Sequence, residues 1–187
     1  MIYTYDTEFL EDGKTIELIS IGIVCEDGRE YYAVNSDMPW DRVLADDWLQ
    51  RNVLPHLPCA GEQRNGIMHR VLDRRSAAVK PKWVIANEVR DFIVGDLADR
   101  DEVVAEDELP ELWAYYGAYD HVALCQLWGR MINHPRFMPM WTHDLMQLIE
   151  AIPGFEKPKQ PADEHNALAD ARWNFAVLRA AGKVPTP

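Results

Sequence analysis

Residues 2–8, IYTYDTE, alternate bulky side chains in the manner of a strand, yet they carry two carboxylates, Asp6 and Glu8. Side chains two apart on a strand point to the same face. Two acids are therefore set side by side in a segment whose other residues suit a sheet interior. Like charges this close disfavour each other's ionisation. A fold that keeps them must give them either a solvated edge or a cation. Divalent ions such as Mg2+ and Mn2+ prefer oxygen ligands and would remove the conflict. Taken alone, the pair also fits a strand at a solvated edge.

The surrounding pattern is that of a meander. Residues 16–24, IELISIGIV, read as a second strand, Asp27-Gly28 as a hairpin turn, and residues 30–34 as a third strand. Pro39 and the Trp/Asp-rich stretch after it predict a short helix over 41–53, ended by Pro55 and Pro58. A basic helix is expected over 67–78, then a helix from Pro81 to about Gly95. Residues 96–111 are acidic and loop-like. Residues 111–117 read as a buried strand, followed by a helix that stops at Gly129. A short strand is expected at 138–141, a helix capped by Thr142, a Pro/Lys loop over 153–161 and a long final helix. This order implies one mixed α/β domain over residues 1–187.

The bulk properties narrow the class. A chain of 187 residues, 48% hydrophobic, can bury a real core. Its longest apolar run, ISIGIVC, is too short to span a bilayer, so no membrane association is expected. Met1 leads directly into a strand without a basic leader, and the three cysteines, Cys25, Cys59 and Cys125, show no paired spacing. Both features point to reduced thiols and a cytoplasmic location. The net charge of −12 disfavours broad adhesion to nucleic acid. The charge is uneven, however: Gly61 to Lys82 holds six basic residues against two acids, a net of +4. Such a segment is either an ordinary solvated face or a local contact for phosphates.

Two further places could carry chemistry. Asp120 follows the strand 111–117 at the start of a helix, and strand C-terminal ends are where open α/β sheets place ligands. In isolation Asp120 reads as a helix cap. Near the C-terminus, His165 and Asp170 are five residues apart in HNALAD. On one helix they would lie about 140° apart around the axis. They can converge only if His165 sits in the loop or first turn and reaches back. Asp170, among alanines and close to Phe175, Val177 and Leu178, needs a partner.

The combination, DxE on the first strand, Asp120 after a later strand and HxAxxD near the C-terminus, resembles the three motifs of the DEDD exonuclease superfamily, in its DEDDh subgroup. The resemblance spans residues 2–178. It is similar to ribonuclease T and oligoribonuclease, and most to the bacterial adenylate-preferring 3'-exoribonucleases of the ribonuclease AS type. It differs in having Phe9 after Glu8 where the family often has Thr, and Tyr116-Gly117-Ala118-Tyr119 before Asp120. The resemblance implies a ribonuclease H-like α/β fold: a mixed five-stranded sheet, three antiparallel strands then parallel ones, flanked by helices.

It also implies a mechanism and partners. Asp6, Glu8 and Asp170 would hold one Mg2+, Asp6 would bridge to a second, and Asp120 would help hold that second ion, with Mn2+ as the substitute for Mg2+. His165 would be the general base, a task an imidazole suits near pH 7 with an ordinary pKa of about 6.5. The substrate would be the 3' end of single-stranded RNA, released as nucleoside 5'-monophosphates, and the enzyme a homodimer. Phe9 and Tyr119 are the candidates for stacking on a base, and Arg74 and Arg75 for upstream phosphates. On an ideal strand Phe9 points away from the Asp6 and Glu8 face. The rival readings are a DNA 3'-5' exonuclease or oligoribonuclease of the same fold, or an inactive binding module.

Overall fold

The computed structural model describes residues 1–101 and 104–184. Residues 102 and 103 of the expected acidic loop, and the last three residues, lie outside that description. The chain opens with three strands, β1 (Ile2–Glu11), β2 (Ile16–Cys25) and β3 (Glu30–Asn35), paired antiparallel. Gly28 turns the chain between β2 and β3 at φ 89°, a conformation that costs other residues strain.

The stretch after Pro39 forms two short helices, α1 (Trp40–Ala45) and α2 (Asp47–Asn52), where one was expected. Asp46 makes the break: it ends α1, and its side chain accepts hydrogen bonds from the Trp48 and Leu49 N–H groups. The basic segment is not a helix. It is a separate two-stranded hairpin, β4 (Cys59–Arg64) and β5 (Ile67–Leu72), turning at Asn65 and Gly66 with φ of 50° and 77°. Asn-Gly is the strongest two-residue hairpin signal, and it outweighs the helical spacing of the residues after it.

The rest alternates. Strand β6 (Val79–Lys80) is followed by α3 (Lys82–Ile93), with Pro81 at its cap position. Strand β7 (Glu111–Ala114) leads to α4 (Ala118–Cys125). Strand β8 is His143–Asp144, not 138–141, because Trp113 and Ala114 of β7 pair with those two residues. Helix α5 (Leu145–Glu150) is capped by Asp144 rather than Thr142, whose hydroxyl donates to the Leu112 carbonyl instead. Helix α6 (Ala167–Ala180) is the last among the described residues.

The main sheet has six strands in the order β6-β3-β2-β1-β7-β8. Strand β6, parallel to β3, adds a sixth member at the edge to the expected five. Strands β7 and β8 continue parallel on the other side of β1. This mixed α/β arrangement is compatible with a ribonuclease H-like fold.

Alternation sorts the layers. Tyr3, Tyr5 and Leu112 face a core with Ile85 and Val89 of α3 and Leu124 of α4. On the other face, Trp113 packs with Leu145 and Ile149 of α5 and Trp173, Val177 and Leu178 of α6. A bulge keeps β2 consistent: Glu8 pairs with Ser20 but Phe9 with Leu18, so Ile19 is the extra residue. Leu18 therefore shares the α3–α4 core with Ile21 and Ile23, while Ile19 packs with Val43 and Leu49 of α1 and α2.

Helix α6 crosses β1 and β2 at close range. Gly22, paired with Asp6, lies directly beneath its first turn, and a Cβ there would overlap the Ala167 carbonyl and the Leu168 Cα. Two buried hydrogen bonds fix the helix to β1: Thr4 Oγ1 donates to the Ala171 carbonyl at 2.9 Å, and Asn174 Nδ2 donates to the Tyr5 carbonyl at 3.0 Å. Overpacking of this kind costs roughly 1–3 kcal/mol. Gly22→Ala should lose about that much stability in urea denaturation, whereas Gly28→Asn, at an open turn with nothing near its Cβ, should lose less.

Candidate active site

Four acids converge at the C-terminal half of β1. Asp6 and Glu8 project toward α6, and ligand atoms of Asp6, Glu8 and Asp170 lie within 4.8 Å of one another. Asp170 arrives because Asn166 starts α6 one turn earlier, its side chain accepting from the Leu168 and Ala169 N–H groups. Asp120 approaches from the α4 side and stands outside that trio. Its Oδ1 accepts from the Thr7 backbone N–H at 2.8 Å and the Thr7 hydroxyl at 2.7 Å, so it does not cap α4.

His165 precedes the helix, with φ of 69°. That left-handed turn resolves the spacing problem posed by residues 165 and 170. The His165 backbone N–H donates to Asp170 Oδ2 at 2.8 Å, and its ring packs edge-on against Trp48 of α2 at 4.9 Å between centroids. All five residues line one cleft of about 580 Å³. Phe9 and Tyr119 line it too, stacked at 5.9 Å with ring planes 10° apart. Phe9 stays on the α4 side of β1, and the cleft wraps around the strand to include it. Arg74 and Arg75 are not brought there. Arg74 donates to the Ser36 carbonyl and Arg75 pairs with Asp73, in the turn after the hairpin.

No lysine or arginine lines the cleft among the described residues. The acids therefore strain one another's ionisation. Burial, then the charges of Asp120, Glu8 and Asp170, pushes the Asp6 carboxyl well above its usual range. Burial and its acid neighbours push Glu8 to about 8. Asp120 is raised by burial only to about 6, since the Thr7 bonds favour its charged form. Asp170 is also raised by burial, with the His165 N–H acting the other way. Its Oδ1 is buried without a hydrogen-bond partner. Three clustered carboxylates, an unsatisfied carboxylate oxygen and no side-chain cation form an oxygen donor set that suits divalent cations.

Several contributors were not singled out from sequence. Thr7 holds Asp120, Trp48 buttresses His165, and Gly22 admits α6. Gln160 also reaches Asp170 from the Pro/Lys loop. Asn166 had a readable signal, a cap residue immediately before an apolar helix. Trp48 had none, because its contact joins segments more than a hundred residues apart.

The chain matches the family described as the 3'-5' exoribonuclease Rv2179c-like domain over residues 1–181. Two relatives from Mycobacterium tuberculosis are each 44% identical over 179 residues, which covers 96% of this chain and 92% of theirs. They are the 3'-5' exoribonuclease MT2234.1 of strain CDC 1551 / Oshkosh and the 3'-5' exoribonuclease Rv2179c of strain ATCC 25618 / H37Rv. Similarity of this extent, over the strands and helices that bring the four acids together, assigns the chain to the Rv2179c-like 3'-5' exoribonuclease domain family.

Proposed function

We propose that this enzyme is a metal-dependent, DEDDh-type exoribonuclease related to ribonuclease T, which shortens single-stranded RNA from its 3' end. The observation that carries this reading is the trio Asp6, Glu8 and Asp170, within 4.8 Å and beside His165, in a cleft that no lysine or arginine lines among the described residues. Asp6, Glu8 and Asp170 would hold divalent cations, Mg2+ or Mn2+, with Asp120 at their side. When bound, a pair of such ions supplies an activated water and stabilises the charge on the leaving oxygen.

The protein's own groups do the rest. His165 accepts the proton of the attacking water, held by its N–H bond to Asp170 and by Trp48. The water oxygen joins the terminal phosphorus and the bond to the preceding 3' oxygen breaks. The products are a nucleoside 5'-monophosphate and an RNA one residue shorter. Phe9 and Tyr119 offer a stacking face to a base, worth roughly 1–3 kcal/mol per base. A preference for adenylate-rich tails, and a homodimer, belong to this reading through the family resemblance. Arg74 and Arg75 lie away from the cleft, so any contact they make is with phosphates upstream of the cleaved bond.

The deciding experiment is a time course on 5'-labelled single-stranded RNA with an A-rich 3' tail, in Mg2+ or Mn2+. The expected result is a ladder shrinking from the 3' end, abolished by EDTA and by Asp6→Ala. His165→Ala should lower kcat by roughly 10²–10⁴-fold. An intact RNA beside a degraded DNA strand would reassign the substrate, and two intact strands would support the binding module. Reversing the charge of Arg74 and Arg75 should raise KM for long RNA more than for a dinucleotide, and an unchanged KM would remove them from the interface.

The raised carboxyls also make stability depend on pH. A group whose pKa is higher folded than unfolded stabilises the fold below its unfolded value, and that contribution is lost as pH rises through the folded value. For Glu8 the window runs from the ordinary 4.5 to about 8, and for Asp120 from 3.8 to about 6. In EDTA the melting temperature should therefore fall between pH 5 and pH 8. Mg2+ should recover the loss, with its largest effect at pH 8, and Glu8→Gln should flatten the profile.

A further inference from the structure

Beyond the four acids already described, Glu11, Asp46 and Glu164 also line the cleft. An RNA strand adds a negative charge with every nucleotide, and proteins that track such a backbone meet it with lysine or arginine. The cleft wall has neither among the described residues, so those charges have to come from its rim. A lysine just outside is bonded to a side chain of the wall. Lys157 Nζ donates to the Tyr115 hydroxyl at 2.9 Å and lies 5.3 Å from the centre of the same ring. Tyr115 lines the cleft, and its ring is held edge-on by Tyr116 at 4.8 Å and Trp173 at 5.1 Å.

We propose that Lys157 and Lys159, with the Tyr115 hydroxyl, bind phosphates of the RNA strand at the mouth of the cleft, upstream of the cleaved bond. The inference rests on the exoribonuclease reading, which puts the 3' end at the acids and sends the rest of the strand out over the rim. Both lysines belong to the Pro/Lys loop, and both are exposed.

The loop is fixed along its length. Phe155 packs against the core beneath α5 and α6. Between the two lysines, the Pro158 carbonyl accepts from the Trp173 indole N–H at 3.0 Å. Gln160, directly after Lys159, lines the cleft and reaches Asp170. Anchors at 155, 158 and 160 thus hold a short basic segment along the rim, and Pro158 and Pro161 restrict its backbone further. Lys159 has no side-chain partner among the described residues, so it can turn to a phosphate without breaking a bond. The Lys157 bond uses a lone pair of the Tyr115 oxygen and leaves the phenol proton for an acceptor on the substrate. A phosphate oxygen there meets a cation and a fixed hydroxyl together.

The test is the slope of log KM against log KCl concentration on a short single-stranded RNA, with kcat measured beside it. Each phosphate contact on a single strand contributes about 0.7 to that slope. Lys157→Gln keeps a donor for Tyr115 and removes the charge. It should raise KM and lower the slope by about 0.7, and adding Lys159→Gln should lower it by about as much again. Lys157→Arg should restore the slope. Tyr115→Phe should raise KM and leave the slope as it is, because no charge is lost. Arg130→Ala, at an exposed position beyond the far end of α4, is the control and should change neither. A lysine that only tethers the loop would not move the slope. A parent protein that degrades the RNA, with the same slope in the double Lys157→Gln, Lys159→Gln variant, overturns this inference and leaves the exoribonuclease reading standing. RNA left intact by the parent protein overturns both.

Discussion

Helix α6 can lie against the sheet only because residue 22 has no side chain. That contact sets the height of the helix over β1 and β2, and the height decides whether Asp170 reaches Asp6 and Glu8. The Thr4 and Asn174 hydrogen bonds then fix its position along β1. Small residues serve the same end on the helix side, where Ala167, Ala169 and Ala171 are all buried. The chemistry of the acids thus rests on close backbone approach, and a single methyl group in the wrong place would undo it.

Bringing the acids together opposes folding at neutral pH, and the fold accepts that cost unevenly. Asp120 is compensated within the protein by the Thr7 N–H and hydroxyl. Asp6, Glu8 and Asp170 have one neighbouring backbone donor, the N–H of His165, and no side-chain cation in the cleft among the described residues. The uncompensated trio is the part of the site that suits an ion, and Asp120 is the part already satisfied without one. The same division explains why Asp120 is pushed up less than Glu8.

Much of this was legible in the sequence wherever local pattern and tertiary context agree. The meander β1–β3 and the helices α3, α4 and α6 follow from apolar periodicity, and Asp6, Glu8, Asp120, His165 and Asp170 from motif order. The errors arose where a local signal was overruled. Asn65-Gly66 turned an expected basic helix into a hairpin, and pairing with β7 moved β8 to His143–Asp144. Phe9 could be placed only once the cleft was seen to wrap around its strand. Gly22, Thr7 and Trp48 act through contacts between distant segments, and a single sequence carries no pattern for those.

The three sources of the acids also set an order in time. A chain is made from its N-terminus, so Asp6 and Glu8 appear first, Asp120 much later, and His165 and Asp170 after both. The trio closes only after α6 has emerged and docked on Gly22. A growing chain, surrounded by the messenger and ribosomal RNA that produce it, therefore carries an incomplete set of acids until α6 has been made. Dependence on α6 makes assembly of the site an all-or-none event that waits for that helix.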